Sequence, residues 1–160
     1  ALIISEYALD CKQYNSSSTN TTWENCSLRS WLNDTFYNKA FVSKQQDKIV
    51  SANVSADKNP TYSTSPGDAT TDKVFLLSII EAEKHFSSAG ARQCKPTEYA
   101  IANGAYVYAN DFYRWWLRSP GFNRTYAAFV GYNGSVNYYG HGVDYDSACV
   151  RPAMWIDISK

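Results

Sequence analysis

The chain has 160 residues, fifteen basic and fifteen acidic side chains, and a formal net charge of zero. That length suits one domain with a core of its own. The charge balance gives no steering toward nucleic acid or an anionic membrane, and no run of about eighteen apolar residues exists to cross a bilayer.

Leu2 to Ala8 predicts a first strand, and Asn15 to Asn20 a polar loop. Ser27 is placed to cap a helix that carries Leu28, Trp31, Leu32 and Phe36 on one face. Ser43 with Gln46 reads as a weaker capping box, opening a short helix to about Lys48. Ile49 to Val54 alternates like a strand, and Asp57 to Asp68, with Pro60, Pro66 and Gly67, reads as a surface loop. The apolar run Val74 to Leu77 fits a buried strand. Ser78 and Glu81 then form a capping box for a helix through Phe86. Pro96-Thr97-Glu98 opens a further helix that ends by Gly104. From Trp115 onward helical patterning stops. Short strands are predicted at Ala127 to Val130, Ser135 to Tyr138 and Val150 to Ile158, between Gly and Asn turns. Helices first and a mainly antiparallel, strand-rich half after them predict an α+β fold, with one domain over 1–160.

Thirteen Tyr stand beside seven Phe and five Trp. Tyr keeps one end wet, so this many suggests exposed contact surface; composition equally allows Tyr to cover a β-rich core. Cys11, Cys26, Cys94 and Cys149 form no C-x-x-C pair, and His85 and His141 are not spaced to complete a zinc site. Free, partly buried thiols are expected, with no metal and no cofactor. The chain opens Ala1-Leu2-Ile3-Ile4-Ser5, without a Met or a basic leader, and reads as trimmed, so a secretion signal would fall outside it.

The segment Gly121 to Ala148 contains no Lys, Glu, Gln, Met, Trp, Leu, Ile or Pro, although Lys, Glu and Gln occur freely elsewhere. Its alphabet of Tyr, Asn, Gly, Ser and Asp is that of antibody combining loops. Tyr supplies rigid contact area at low entropic cost, and the small polar residues adapt their hydrogen bonds. Val130, Gly134, Val136, Gly140 and Val143 punctuate the run like a scaffold, with recognition-type side chains between them. A set of β-turns whose Tyr side chains simply cover a sheet is the plainer alternative.

Trp115-Trp116-Leu117-Arg118-Ser119-Pro120-Gly121, Ala127-Ala128 and Val150-Arg151-Pro152-Ala153-Met154-Trp155-Ile156 together carry a family resemblance. So do Trp23-Glu24-Asn25, Leu28-Arg29-Ser30-Trp31-Leu32-Asn33, Ala40-Phe41 and Asp72 to Ser78. The chain resembles the variable proteins of diversity-generating retroelements, and the wider family of bacterial domains that share their C-type-lectin-like, formylglycine-generating-enzyme-like fold. The resemblance implies mutagenic reverse transcription at template adenines. Asn codons then become many residues but not Lys, Glu, Gln, Met or Trp. Matched position by position, it implies ligand-binding, exchangeable residues at Phe122, Asn123, Arg124, Tyr126, Phe129, Gly131, Tyr132, Ser135 and Asn137. The same matching continues through Tyr138, Tyr139, His141, Gly142, Asp144, Tyr145, Asp146 and Ser147. Cys149 departs from the pattern, which has Gly there.

The implied function is recognition without catalysis, of a protein or glycan on a cell or phage-host surface, by a protein displayed at a cell surface, outside the cell or on a virion. Nucleic acid and direct membrane insertion are not expected. The alternatives are a non-diversified structural or carbohydrate-binding domain of the same fold and, third, a formylglycine-generating-type enzyme, for which Cys94 and Cys149 lie in no matching motif. Trp31-Leu32-Asn33-Asp34 resembles the calcium ligands of sugar-binding C-type lectins, but Leu32 interrupts it on a predicted helix. Trp115, Trp116 and Trp155 are expected to pack. Arg118 and Arg151 are expected to hold the strand ends through carboxylates or carbonyls.

Overall fold

The computed structural model describes residues 1–108 and 110–159. The chain is a mixed α+β protein with mainly antiparallel sheets. The first strand, β1 (Leu2–Ile4), pairs with the last, β10 (Ala153–Ile156), which also pairs with β3 (Ile49–Val50). A second sheet runs β2 (Asp10–Cys11), β9 (Cys149–Val150), β6 (Trp115–Pro120), β7 (Tyr126–Val130), β8 (Val136–Gly142). Its pairs are antiparallel except β6 with β9. β4 (Ala52–Val54) and β5 (Thr70–Asp72) form a separate ribbon.

Several strands are shorter than their patterns predict, and the reason is a change of partner. Leu2 to Ala8 is a strand only to Ile4; beyond it the chain leaves β10, Ala8 makes a single bridge to Pro96, and the Leu9 N–H donates to Val150 O in β9. Ile49 to Val54 breaks at Ser51, because β3 joins β10 and β4 joins β5. Val150 to Ile158 divides at Arg151-Pro152 for the same reason. Val74 to Leu77 is buried but is not a strand. Asn33 Oδ1 accepts from the Lys73 and Val74 N–H groups, and Arg118 Nη1 donates to Leu76 O at 2.9 Å. Phe75 makes a single antiparallel bridge to Ala153, and side chains meet the Val74 N–H and Leu76 O that a continued ladder would otherwise have to meet. Asn33, whose oxygen is thus engaged, clamps this segment rather than facing a cation.

The helices follow local signals more closely. Ser78 and Glu81 exchange both bonds of a capping box at the head of α4 (Ile79–His85). The helix from Ser27 is capped one residue earlier than predicted, by Cys26 Sγ accepting from the Arg29 N–H. It passes from α1 (Ser27–Trp31) through a π-helical turn at Leu32–Phe36 into α2 (Tyr37–Ala40). In α3 (Ser43–Gln46) the side-chain carbonyl of Gln45, not Gln46, reaches back to the Val42 N–H; valine has no acceptor, so only half a box forms. Two short helices follow, α5 (Ala89–Arg92), which the patterning misses, and α6 (Glu98–Ala102), capped by Thr97.

β6 is buried along its whole length and divides the core. Trp115 packs on Phe86 at the end of α4, while Trp116 points the other way onto Tyr14. Trp155 departs from the packing expectation: on β10 it is 42% exposed. Arg118 and Arg151 do what their positions predict. Arg118 forms an ion pair with Glu81 and donates to Ser55 O; Arg151 Nε donates to Ser5 O at 2.9 Å. The four thiols are free and all buried, more deeply than expected, with Cys11 and Cys149 directly opposed across β2 and β9. Among the described residues, no helix is long and apolar enough to cross a membrane.

A candidate binding surface

Within Gly121 to Ala148, burial separates two classes of position. Gly121, Ala127, Ala128, Val130, Gly134, Gly140, Val143 and Ala148 are buried, and Val136 is half-buried. Of the residues predicted to be exchangeable, Phe129 alone is buried, at 8% exposure. It sits in a central strand, between β6 and β8, under the Arg114 guanidinium. The others are half-buried or exposed, Tyr132 at 44% and Tyr139 at 48%.

The glycines draw the same line by a different criterion. A Cβ on Gly140 (φ +83°) would overlap Ala127 O and lie 2.8 Å from its carbonyl carbon. On Gly134 (φ +79°) it would lie 2.5 Å from the Ala89 carbonyl carbon, and on Gly121 2.7 Å from Tyr126 Cβ. These three are scaffold positions. At the two predicted exchangeable glycines a Cβ would be tight only against side-chain ends, not backbone. The nearest atoms are the side-chain oxygens of Asn133 (from Gly131) and Asp144 (from Gly142), each at 3.1 Å.

The backbone of the segment is held largely from outside it. Asn59, itself buried in the loop predicted to be surface, donates from Nδ2 to Pro120 O at 2.9 Å and Tyr138 O at 2.8 Å. Thr64 Oγ1 donates to Phe122 O, Arg92 Nε to Gly134 O, Gln93 Nε2 to Tyr132 O and Gln13 Nε2 to Asp144 O. Every acceptor is a main-chain carbonyl, which every residue type supplies. These contacts therefore do not change when a side chain of the segment changes, whereas Asn123, Asn133 and Asn137 hold backbone N–H groups within the segment through their own side chains.

The outward side chains form two linked aromatic groups. Phe122 and Tyr139 stack at 4.2 Å between centroids, with Tyr126 edge-on to both and Tyr62 edge-on beyond. Tyr126 also lines a recess of about 440 Å³ with His141, Gly142, Asp144, Tyr145 and Asp146. His141 lies against the Tyr145 ring at 3.9 Å, and Arg114 lies over Tyr145, Phe129 and Tyr113. Burial, and then the Arg114 charge, hold His141 below its ordinary pKa, so its ring stays neutral near pH 7. Tyr132 stacks on Tyr108 at 4.6 Å. Ser135 and Asn137 border the Arg114 side, and Ser147 bonds its neighbour Asp146.

Three predicted residues stand apart from this group. Tyr138 turns to the opposite face of the sheet, where its hydroxyl donates to Glu83; that bond and burial push its pKa up to about 12. Arg124 leans on Ser65. Asn123 Oδ1 accepts from Thr125 N and Oγ1 and shapes its own turn. Conversely, Tyr62, Tyr106, Tyr108 and Arg114 join the surface from outside the segment, with the buried Tyr113 beneath them. The close spacing of Tyr106, Tyr108 and Tyr113 ahead of the double Trp was the signal available for them.

A family model described as "Domain of unknown function (DUF6273)" matches residues 1–158, and the chain belongs to that family. No curated protein and no solved structure matches the chain.

Proposed function

We propose that this member of the DUF6273 family is a recognition protein that binds through a Tyr-rich, exchangeable surface and catalyses nothing. The finer fold we propose is C-type-lectin-like, with the segment Gly121 to Ala148 diversified as in retroelement variable proteins and displayed outside the cell or on a virion. The observation that carries the reading is the split within that segment. Positions where a new side chain would break packing are the scaffold glycines, alanines and valines, and the positions between them, Phe129 and Tyr138 apart, open outward. A surface of this kind gains affinity from a few aromatic anchors set among short polar groups.

The test is a combined variant, Tyr132→Ser, Asn137→Asp, Tyr139→Ser and His141→Asn. Surface changes of this type cost about 0.5 kcal/mol each or less, so the melting temperature should stay within about 8 °C of wild type. Loss of cooperative unfolding would refute the reading. In the DNA, a neighbouring reverse-transcriptase gene with a template repeat differing only at adenines is expected. Its absence would leave a non-diversified binding domain.

A further inference from the structure

Arg114 is a cation with no ion-pair partner among the described residues. The Arg114 guanidinium carbon lies 5.2 Å from the Phe129 ring centroid, 5.5 Å from Tyr145 and 5.6 Å from Tyr113. Its only polar contact among the described residues is the Tyr108 hydroxyl at 3.4 Å, and none of the ion pairs there includes it. The ring faces attract the cation but leave its donors unsatisfied. Resting on the binding surface proposed above, we propose that Arg114 anchors a single carboxylate, the Asp or Glu side chain of a protein partner.

The rest of the recess has matching chemistry. Asn133 and Asn137 line it with Arg114, in a volume of about 290 Å³. Asn133 Oδ1 already accepts from the Ser135 N–H at 3.1 Å, and Asn137 Oδ1 from the Gly140 N–H at 2.9 Å. A backbone N–H must meet the oxygen, so both amides are oriented, and their Nδ2 groups have no partner among the described residues. What remains on offer is mainly donors, a guanidinium and two amide groups, with the Ser135 hydroxyl beside them. A carboxylate is acceptor-only and is the group that can engage the guanidinium and both amides at once.

Charge then separates a protein side chain from an acidic polysaccharide. On the far side of Tyr145, the neighbouring recess carries Asp144 and Asp146. A polymer of uronic acids would bring its next carboxylate up against them. A peptide can place a Lys or Arg there instead, next to its Asp or Glu. The partner feature is therefore one acidic side chain with a basic neighbour.

The experiment is an NMR titration of the ¹⁵N-labelled chain with acetyl-Glu-Lys-amide, acetyl-Gln-Lys-amide and triglucuronate, for wild type and Arg114→Gln. The Glu peptide is expected to shift the Arg114 Nε signal and the Asn133 and Asn137 side-chain amides. It should bind about fivefold or more tighter than the Gln peptide, as expected of a charge-assisted hydrogen bond at a partly open site. The Arg114→Gln variant should lose that preference. Equal binding of the two peptides in wild type, a preference unchanged by Arg114→Gln, tighter binding of triglucuronate, or binding of none of the three overturns the inference. The wild-type comparison holds even if Arg114→Gln folds poorly. Failure of the underlying surface reading appears elsewhere, in the melting temperature of the four-residue variant.

Discussion

Gly140 and Gly142 lie two residues apart on β8, yet the structure predicts opposite outcomes for the same substitution. Gly140→Ala would hold an L-residue at φ +83° and drive a methyl group into the Ala127 carbonyl on the neighbouring strand, with Gly121 Cα 3.1 Å away. The left-handed conformation costs about 1–2 kcal/mol and the overpacking about 1–3 kcal/mol, together about 2–5 kcal/mol. At roughly 2–4 °C per kcal/mol for a chain of this size, the melting temperature should fall by about 4–20 °C. Gly142→Ala meets only the far end of the exposed Asp144 side chain, which can swing aside. Its reduced unfolded-state entropy is worth about 0.4–1 kcal/mol in the stabilising direction, so its melting temperature should stay within about 3 °C of wild type. Paired calorimetric melts of the two variants at one pH provide the assay. Equal losses, or the larger loss at Gly142, would refute the division of the segment into fixed and exchangeable positions.

Arg118→Leu leaves the Glu81 carboxylate half-buried without its cation and strips donors from Leu76 O and Ser55 O. Denaturant unfolding should show a loss of about 3–5 kcal/mol. Burial pushes the Glu81 pKa up, but the Arg118 hydrogen bond and charge outweigh it and hold the group below its ordinary value. Its stabilisation is therefore complete above the unfolded value of about 4.3 and is lost as pH falls through the lower folded value. Glu81→Gln should flatten that part of a stability–pH curve. His141 is also held low, and for a histidine the fold weakens as pH drops below about 6.5; His141→Gln should remove that slope between neutral pH and pH 5. Burial pushes Cys26 up to about 12 and Cys94 up to about 11, whereas the Cys149 hydrogen bond lowers Cys11. Intact-mass analysis after iodoacetamide at pH 8 should therefore find Cys11 modified first, and Cys26 and Cys94 only after unfolding.

Elements fixed by neighbours in sequence were legible, and those fixed by distant groups were not. The Ser78–Glu81 capping box and the Thr97 cap close within three residues, so their types and spacing announce them. The irregular path of Val74 to Leu77 is held by Asn33 and Arg118 reaching across the fold, which no local window contains. In the candidate site, the outward positions could be read from alternation and alphabet. Phe129 and Tyr138 could not, because strand order and the position of α4 decide what lies above each face.

The sequence by itself determined the α+β composition, the starts of α4 and α6 and the two alphabets of the segment Gly121 to Ala148, since these rest on local propensity and on which residue types are present or missing. Tertiary structure alone decided that Asn59, Arg92 and Gln93 grip the segment's carbonyls and that Arg114 stands among three rings without a carboxylate. Apart from the adjacent Tyr113, both outcomes join residues far apart in the chain, and only the closed fold brings those groups within hydrogen-bonding or ring-contact distance.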